Sequence, residues 1–187
     1  MNKVILFVFL CCLSCKKQPE VEQEKVFDPI TFKLINGELF LQDDLYSGVL
    51  IKEDSLNKVK TITKYNLGRK EGIEIKCYQD TLKIEERFYT EGMKSGIHRG
   101  WWRNGNLRFE YHFNSKGAYN GSVNEWYKNG QQMKAFNFEN GKESGTQRLW
   151  QDDGKIRANF VAKNGDRFGL IGLKKCYSVN TVNEDYR

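Results

Sequence analysis

Glycine recurs at a nearly fixed interval along most of this chain, and that interval constrains the fold more than any other feature. The recurring glycines are Gly48, Gly72, Gly96, Gly121, Gly145 and Gly169, so subtraction gives steps of 24, 24, 25, 24 and 24 residues. A short fixed period is typical of repeat proteins, in which each unit packs only against its neighbours. The sequence therefore predicts a linear array of small units.

Each unit carries the signals of a β-hairpin. Its flanks alternate, as in Phe109, Tyr111 and Phe113, which is the period of a strand with one apolar face. Glycine recurs too often for a helix. Asn-Gly and Asp-Gly favour a two-residue type I′ turn, in which both central residues need positive φ. We expect such turns at Asn104-Gly105, Asn129-Gly130 and Asp153-Gly154, and a looser second turn at Lys116-Gly117, Asn140-Gly141 and Asn164-Gly165.

The expected turn fixes which residues face each other across a hairpin. With Asn104-Gly105 as the loop, Trp102 lies opposite Leu107 and Gly100 opposite Phe109. Phe109 and its alternating neighbours then form the core side, and one tryptophan per unit lies on the other face. There we expect indole–guanidinium contacts, worth about 0.5–1 kcal/mol when exposed. The candidate binding face is Trp101, Trp126 and Trp150, with Arg108 and Arg157 across the hairpins.

The unit that begins at Gly72 departs from this pattern. Asp80-Thr81 replaces Asn-Gly at its turn, and Cys77 stands in the tryptophan column. Under the same register its isoleucines fall on the face opposite the core. Either its turn differs or the register fails there.

These residues resemble the bacterial MORN-repeat-variant family. The shared pattern is G-x4-[WC]-[WYQ]-x-[ND]-G followed by alternating residues and N/K-G, and the resemblance covers roughly residues 31–172. The stretch Asn36–Phe40, followed by Tyr46–Gly48, resembles the half-repeat that opens such arrays. The resemblance implies an all-β, elongated, single-layer antiparallel β-meander of β-hairpin repeats about 24 residues long. Many members are labelled YwqK-type antitoxins, a label that implies little chemistry.

The first residues are typical of a lipoprotein export signal, predicted over residues 1–14. The apolar stretch Val4–Leu13 is too short to span a bilayer. Cys15 then resembles the cysteine that becomes lipidated, although Cys12 stands where an aliphatic residue is usual. The alternatives are a plain secretory signal and cleavage before Cys11 or Cys12. The expected location is the cell envelope, with a lipid on Cys15 anchoring the chain to the outer membrane of a Gram-negative bacterium.

The rest of the chain divides into a linker, the array and a tail. Residues 15–30 are polar, charged and contain proline, so they are predicted to form a flexible linker. Residues 31–177 hold the repeats, and residues 178–187 form a polar tail. Loss of residues 1–14 removes one lysine, which leaves 29 basic and 24 acidic residues and lowers the net charge from +6 to +5. This modest, dispersed charge and the exported location argue against a nucleic-acid partner.

Little in the sequence points to catalysis, a metal or a cofactor. Cys77 and Cys176 lie four repeats apart, on the order of 38 Å in a linear array, which is too far for a disulfide. His98 and His112 fall on opposite faces, so they cannot share a metal. No other histidine is available to serve a nucleophile as its base. We expect a non-catalytic protein with no cofactor and no metal.

Three functions fit these observations. The first is a membrane-anchored scaffold or protein-interaction module, whose tryptophan column either binds a partner or only stiffens the sheet. The second is a binder of anionic lipid or glycan surfaces through a basic and aromatic face, and its binding would weaken sharply with salt. The third is an antitoxin-like partner of an exported toxin. The expected partners are the membrane, through the N-terminal lipid, and an unidentified protein or glycan.

Overall fold

The computed structural model describes residues 23–172, and their regular structure is entirely β. Within these residues there is no helix long and apolar enough to cross a bilayer. In this part of the chain the strands are β1 (Glu24–Val26), β2 (Phe32–Ile35), β3 (Glu38–Leu41), β4 (Asp44–Leu45), β5 (Gly48–Asp54), β6 (Val59–Asn66), β7 (Arg69–Tyr78), β8 (Lys83–Thr90), β9 (Met93–Trp101), β10 (Leu107–Phe113), β11 (Tyr119–Trp126), β12 (Gln132–Glu139), β13 (Lys142–Glu143), β14 (Gly145–Trp150), β15 (Ile156–Lys163) and β16 (Asp166–Leu170).

The strands form one long open sheet and one small sheet. From β5 to β16 each strand pairs antiparallel with the next, except that β13 and β14 both pair with β12. At the ends of the long sheet lie β1, which pairs parallel with β5, and β16. The small sheet consists of β2, β3 and β4. This architecture confirms the predicted all-β antiparallel meander of hairpin repeats.

The turn after β9 has three residues instead of the predicted two. The Gly105 N–H donates to the Trp102 carbonyl (2.9 Å), and the Trp102 N–H donates to the Asn106 carbonyl (2.8 Å). Gly105 has positive φ, at 87°, but Asn104 does not. The predicted type I′ turn is therefore wrong here and in the next two units. The glycines themselves do take positive φ, at 87° in Gly105, 87° in Gly130 and 83° in Gly154.

The side chain before each of these glycines accounts for the three-residue loop. Asn104 Oδ1 accepts a hydrogen bond from the N–H two residues on, at 3.3 Å, and Asn129 and Asp153 do the same at 3.0 Å. Such a side chain favours a type I turn that ends in a glycine bulge. The true type I′ turns lie at the opposite edge of the sheet, as at Asn140 (φ 48°) and Gly141 (φ 83°).

The unit that begins at Gly72 uses the same three-residue loop. The Thr81 N–H donates to the Tyr78 carbonyl at 2.9 Å, and Thr81 takes the positive φ of the missing glycine, at 71°. The register of this unit therefore matches that of the others. Its charged side chains must then occupy the positions that other units fill with apolar residues.

The glycines that define the period lie in bulges. Gly96 has a φ of 61°. It lies in β9 between two consecutive cross-strand pairs with β8, and between those pairs β9 contains two more residues than β8. Positive φ at such a position suits glycine, which has no Cβ. The single 25-residue step has a separate cause, because the turn ending at Gly117 has three residues where the equivalent turn ending at Gly141 has two. The same bulge occurs at Gly72, Gly121 and Gly145.

Most buried side chains lie on one side of the long sheet, which we call the packed face. The packed face carries residues that are cross-strand partners or occupy equivalent positions in successive strands. In chain order they are Leu50, Thr63, Glu74, Arg87, His98, Tyr111, Val123, Phe136, Gln147 and Phe160.

Aromatic rings form a continuous series of contacts on the packed face. His98 lies 4.5 Å from Phe113, and Phe113 lies 4.7 Å from Tyr119, measured between ring centroids. The series continues through Phe138 and Phe136 to Phe160. Offset and edge-on ring pairs of this kind add stability beyond their burial. They connect one repeat to the next along the packed face.

The N-terminal end of the long sheet is covered by the small sheet. Phe32, Leu39 and Tyr46 are buried there against Leu50. The structure differs from the predicted linker from Glu24 onward, because β1 pairs with β5 and so belongs to the fold. The predicted signal over residues 1–14, Cys15, Cys176 and the tail lie outside the described residues.

Candidate binding cavity on the packed face

The pairing of β9 with β10 departs from the predicted register at one step. Phe109 pairs with Gly100 as expected, but Leu107 pairs with Trp101 and not with Trp102. The residue between Leu107 and Phe109 is therefore extra and forms a bulge. A bulge locally breaks the alternation of side chains between the two faces.

Arg108 is that extra residue, and the bulge places it on the packed face. Its guanidinium carbon lies 5.7 Å from the ring centroid of Trp102 and 5.2 Å from that of Phe109. The predicted contact between Arg108 and Trp101 is therefore wrong. The Lys83 ammonium lies over the Trp101 ring instead, at 5.3 Å.

A cavity of about 420 Å³ lies beside Arg108 on the packed face. This volume falls in the range of ligand sites in proteins, roughly 300–1,000 Å³. Residues from β8 through β12 line it, so it spans more than one repeat. Its aromatic lining residues are Trp102, Phe109, Tyr111, Phe113, Tyr119 and Trp126.

Two arginines share one carboxylate at one wall of the cavity. Arg87 Nη2 lies 2.6 Å from Glu85 Oε2, and Arg108 Nη2 donates to Glu85 Oε1 at 2.7 Å. Burial opposes the charge on Arg87, but the Glu85 carboxylate raises the pKa of that guanidinium above its usual value. The Nε atoms of both arginines are buried and make no hydrogen bond within residues 23–172. This wall carries two positive charges against one negative charge.

A second carboxylate, that of Glu125, also lines the cavity. Glu125 Oε1 accepts a hydrogen bond from the Tyr111 hydroxyl at 3.0 Å and lies 3.4 Å from Lys134 Nζ. Burial, and then the charge on Glu125, raise the pKa of Tyr111 well above its usual range. The phenol therefore remains a protonated donor at physiological pH.

His98 is a structural member of the lining. Its side chain is 3% exposed, and its Nε2–H donates to the Phe88 carbonyl at 2.7 Å. Burial lowers the pKa of His98, so the imidazole is neutral at pH 7. His112 pairs with Ile97, which confirms that the two histidines lie on opposite faces. Within residues 23–172 no group of three His, Cys, Asp or Glu residues is arranged to hold a metal ion.

The structure keeps the predicted tryptophan column in register, since Trp101, Trp126 and Trp150 pair with Leu107, Gln132 and Ile156 at equivalent positions. Trp126 borders the cavity together with Trp102, which the sequence did not single out. Trp101 and Trp150 are half-buried, and Trp101 has Lys83 over its ring. Arg157, which occupies the bulge position equivalent to Arg108, is exposed. A role of this column in binding stays a prediction.

The sequence contained a signal for the cavity in its charged packed-face positions. Fifteen residues after each repeat glycine, four units carry Thr63, Tyr111, Phe136 and Phe160, but the unit at Gly72 carries Arg87. Thirteen residues after its glycine, the same unit carries Glu85, where the next unit has Phe109 and the following one has Lys134. Charges among positions that mostly face a core indicate a polar site. Under the predicted two-residue turn, the same charges were also consistent with a failed strand register in this unit.

The fold and the cavity define the class of protein, an open all-β repeat array with a mixed aromatic and charged site on one face. Comparison with models of known protein families gives no match for this chain, and no curated protein matches it. The resemblance to MORN-repeat variants thus stays a prediction that rests on the glycine and Asn-Gly pattern.

Proposed function

We propose that this chain is a non-catalytic binding module, held at the cell envelope by a lipid on Cys15. The observation that carries the proposal is the cavity on the packed face, which is lined by both flat rings and charged groups. Buried apolar surface with a few placed polar groups is typical of ligand sites. A repeat array is suited to such a role because neighbouring units hold the site in place.

His98, Glu85 and Glu125 of the cavity are already engaged in hydrogen bonds and ion pairs, and this favours binding over catalysis. A general base needs a free lone pair within reach of the substrate, at a pKa near the working pH. His98 gives its Nε2–H to a backbone carbonyl and packs between aromatic rings. Glu85 is held by two arginines, and Glu125 by Tyr111 and Lys134. These groups are held in position to recognise a ligand.

Trp102 and Tyr127 provide a matched test, because they occupy equivalent repeat positions and only Trp102 is among the residues that line this cavity. The lipidated protein, Trp102→Ala and Tyr127→Ala would each be purified from their own membranes, and the bound molecules identified by mass spectrometry. We expect a molecule that is present with the wild type and Tyr127→Ala and lost with Trp102→Ala. Thermal melts would establish that all three are folded. The same bound molecules in all three samples would contradict a binding role for the cavity.

The location is part of the proposal and rests on the signal before Cys15. The substitution Cys15→Ala should leave an unprocessed precursor or release the protein from the membrane fraction, because the lipid acceptor is gone. Unchanged fractionation together with an unmodified N-terminal peptide would contradict it. Residue 15 lies outside the described part of the structure, so this test is independent of the cavity.

A further inference from the structure

We infer that the cavity binds an acidic saccharide, with the carboxylate of a uronic acid unit at the Arg87–Arg108 wall. The inference rests on the proposed binding function and specifies its ligand class. Three features of the lining carry it: an excess of positive charge, a set of half-buried aromatic side chains, and carboxylates that can accept hydrogen bonds from hydroxyl groups. Each feature restricts the ligand in a different way.

The charge of the lining favours an anion. Arg87, Lys94 and Arg108 contribute three positive charges, and Glu85 and Glu125 contribute two negative charges, so the sum is +1. The excess is concentrated where two guanidinium groups share the single Glu85 carboxylate. Each of these arginine side chains is still about one third exposed, at 33% and 35%. Guanidinium groups bind carboxylates through short charge-assisted hydrogen bonds.

The rings favour a ligand with a flat apolar surface. Trp102, Tyr111 and Tyr119 are all half-buried and line the cavity. The Trp102 indole is held in one orientation, because its N–H donates to the Trp126 carbonyl at 3.0 Å. A ring held in this way is preorganised, so little conformational entropy is lost on binding. The C–H face of a pyranose ring has the shape to stack on such a surface.

The carboxylates of the lining favour an anion that also carries hydroxyl groups. Glu85 and Glu125 would repel the carboxylates of any anionic chain, whether peptide or saccharide. They would accept hydrogen bonds from hydroxyl groups, and a sugar acid supplies several hydroxyls beside each carboxylate. The protonated Tyr111 hydroxyl, next to Glu125, is a further polar group in the lining. A uronic acid therefore fits the whole lining better than a peptide of equal charge.

The test is a calorimetric titration of the folded protein with a tetramer of galacturonic acid. We expect saturable binding at low salt, weakened by added salt because a charge pair contributes. The fully methyl-esterified tetramer keeps the rings and hydroxyls but has no charge. It should bind more weakly by roughly tenfold or more, as expected for loss of hydrogen bonds to a charged group. A tetraglutamate peptide serves as the control for charge alone.

The repeat supplies a matched pair of variants. Arg108 and Arg157 occupy the same bulge position in different units, and the unit between them has Met133 there. Arg108→Met therefore introduces a residue that this fold already accommodates. It should lower affinity for the tetramer roughly tenfold or more. Arg157→Met, at an exposed site, should leave binding unchanged.

Several outcomes would overturn the inference. Equal binding of the acid and its ester would remove the role of the carboxylate, and equal binding of tetraglutamate would reduce the site to a charged patch. No binding of the tetramer would exclude this ligand class. If Trp102→Ala still loses the molecule that co-purifies with the wild type, only the ligand class is wrong. If it loses nothing, the proposed binding function fails as well.

Discussion

The indole N–H of Trp102 donates to the carbonyl of Trp126, 3.0 Å away and 24 residues further along the chain. The hydroxyl of Tyr127 makes the equivalent bond to the carbonyl of Trp150 at 2.9 Å. In each case a side chain at the end of one hairpin is tied to the backbone of the next hairpin. These bonds connect adjacent repeats beyond the pairing of the strands.

Removal of this inter-repeat bond should destabilise the array. The substitution Tyr127→Phe deletes only the hydroxyl, so the unfolding free energy should fall by about 1 kcal/mol, the usual contribution of one hydrogen bond. Chemical denaturation would measure the change. Tyr119→Phe is the control, since among residues 23–172 the structure gives that hydroxyl no hydrogen bond. Equal losses in the two variants would show that the bond to Trp150 contributes nothing specific.

Thr81 holds a backbone conformation that is strained for a β-branched residue, with φ 71°. The left-handed region costs a residue with a Cβ roughly 1–2 kcal/mol, and glycine avoids that cost but loses more chain entropy on folding. Thr81→Gly should therefore stabilise the protein by about 0.5–1 kcal/mol, a change that thermal and chemical unfolding would measure. The reverse change at the equivalent position, Gly105→Thr, should destabilise it. A Thr81→Gly protein that is less stable than the wild type would contradict the assigned loop.

Gly100 leaves space for the ring of Phe109, its cross-strand partner. A Cβ on Gly100 would lie 2.2 Å from Phe109 Cε1, so one of the two must move. Gly100→Ala should lower the unfolding free energy by about 1–3 kcal/mol through overpacking. A double-mutant cycle tests the cause, because the same substitution should be much less harmful in a Phe109→Leu background. Additive losses would indicate a cause other than this contact.

Tyr65 should make the stability fall at alkaline pH. Burial, and then the charges of Glu74 and Tyr89, raise its pKa from 10.0 to about 12. Above pH 10 the unfolded chain loses this proton while the folded chain keeps it until about pH 12. The stabilisation is complete below pH 10 and declines as pH rises, by up to about 1.4 kcal/mol per pH unit.

The measurement is the unfolding free energy of the wild type and of Tyr65→Phe at several values between pH 9 and pH 12 (roughly the range set by the ordinary and raised pKa). The variant lacks the titrating group, so its curve should be shallower than that of the wild type. Parallel curves would show that the phenol of Tyr65 ionises equally in the two states.

Sequence periodicity was sufficient to predict the meander, because glycine spacing and residue alternation reflect the backbone directly. The pairing of Gly100 with Phe109 followed from the same reasoning and is confirmed. The type of turn was not predictable from the dipeptide. Asn104-Gly105 and Asn140-Gly141 have identical sequences, yet only Asn140 has positive φ. Strand register and the Asn104 side-chain hydrogen bond select between the two forms.

The sequence also failed to predict the candidate site, because strand register again decides which face of the sheet a side chain occupies. A single bulge residue moves Arg108 to the other face of the sheet, and a strict alternation rule has no way to anticipate that shift. The charges at Glu85 and Arg87 could have been noticed, because the equivalent positions in the next unit are Phe109 and Tyr111. Pairing of those charges with Arg108 depends on the distances between three strands, and that information is absent from a one-dimensional pattern.

Because units of 24 or 25 residues begin at the same kind of glycine bulge, duplication of a unit would restore similar strand edges on both sides of the insertion. Descendants of such a gene could gain or lose hairpins with little disturbance to those already present. The cavity depends on the particular succession of the units at Gly72, Gly96 and Gly121. Lineages could therefore vary the number of hairpins outside this trio freely, whereas an insertion within it would abolish or relocate the site.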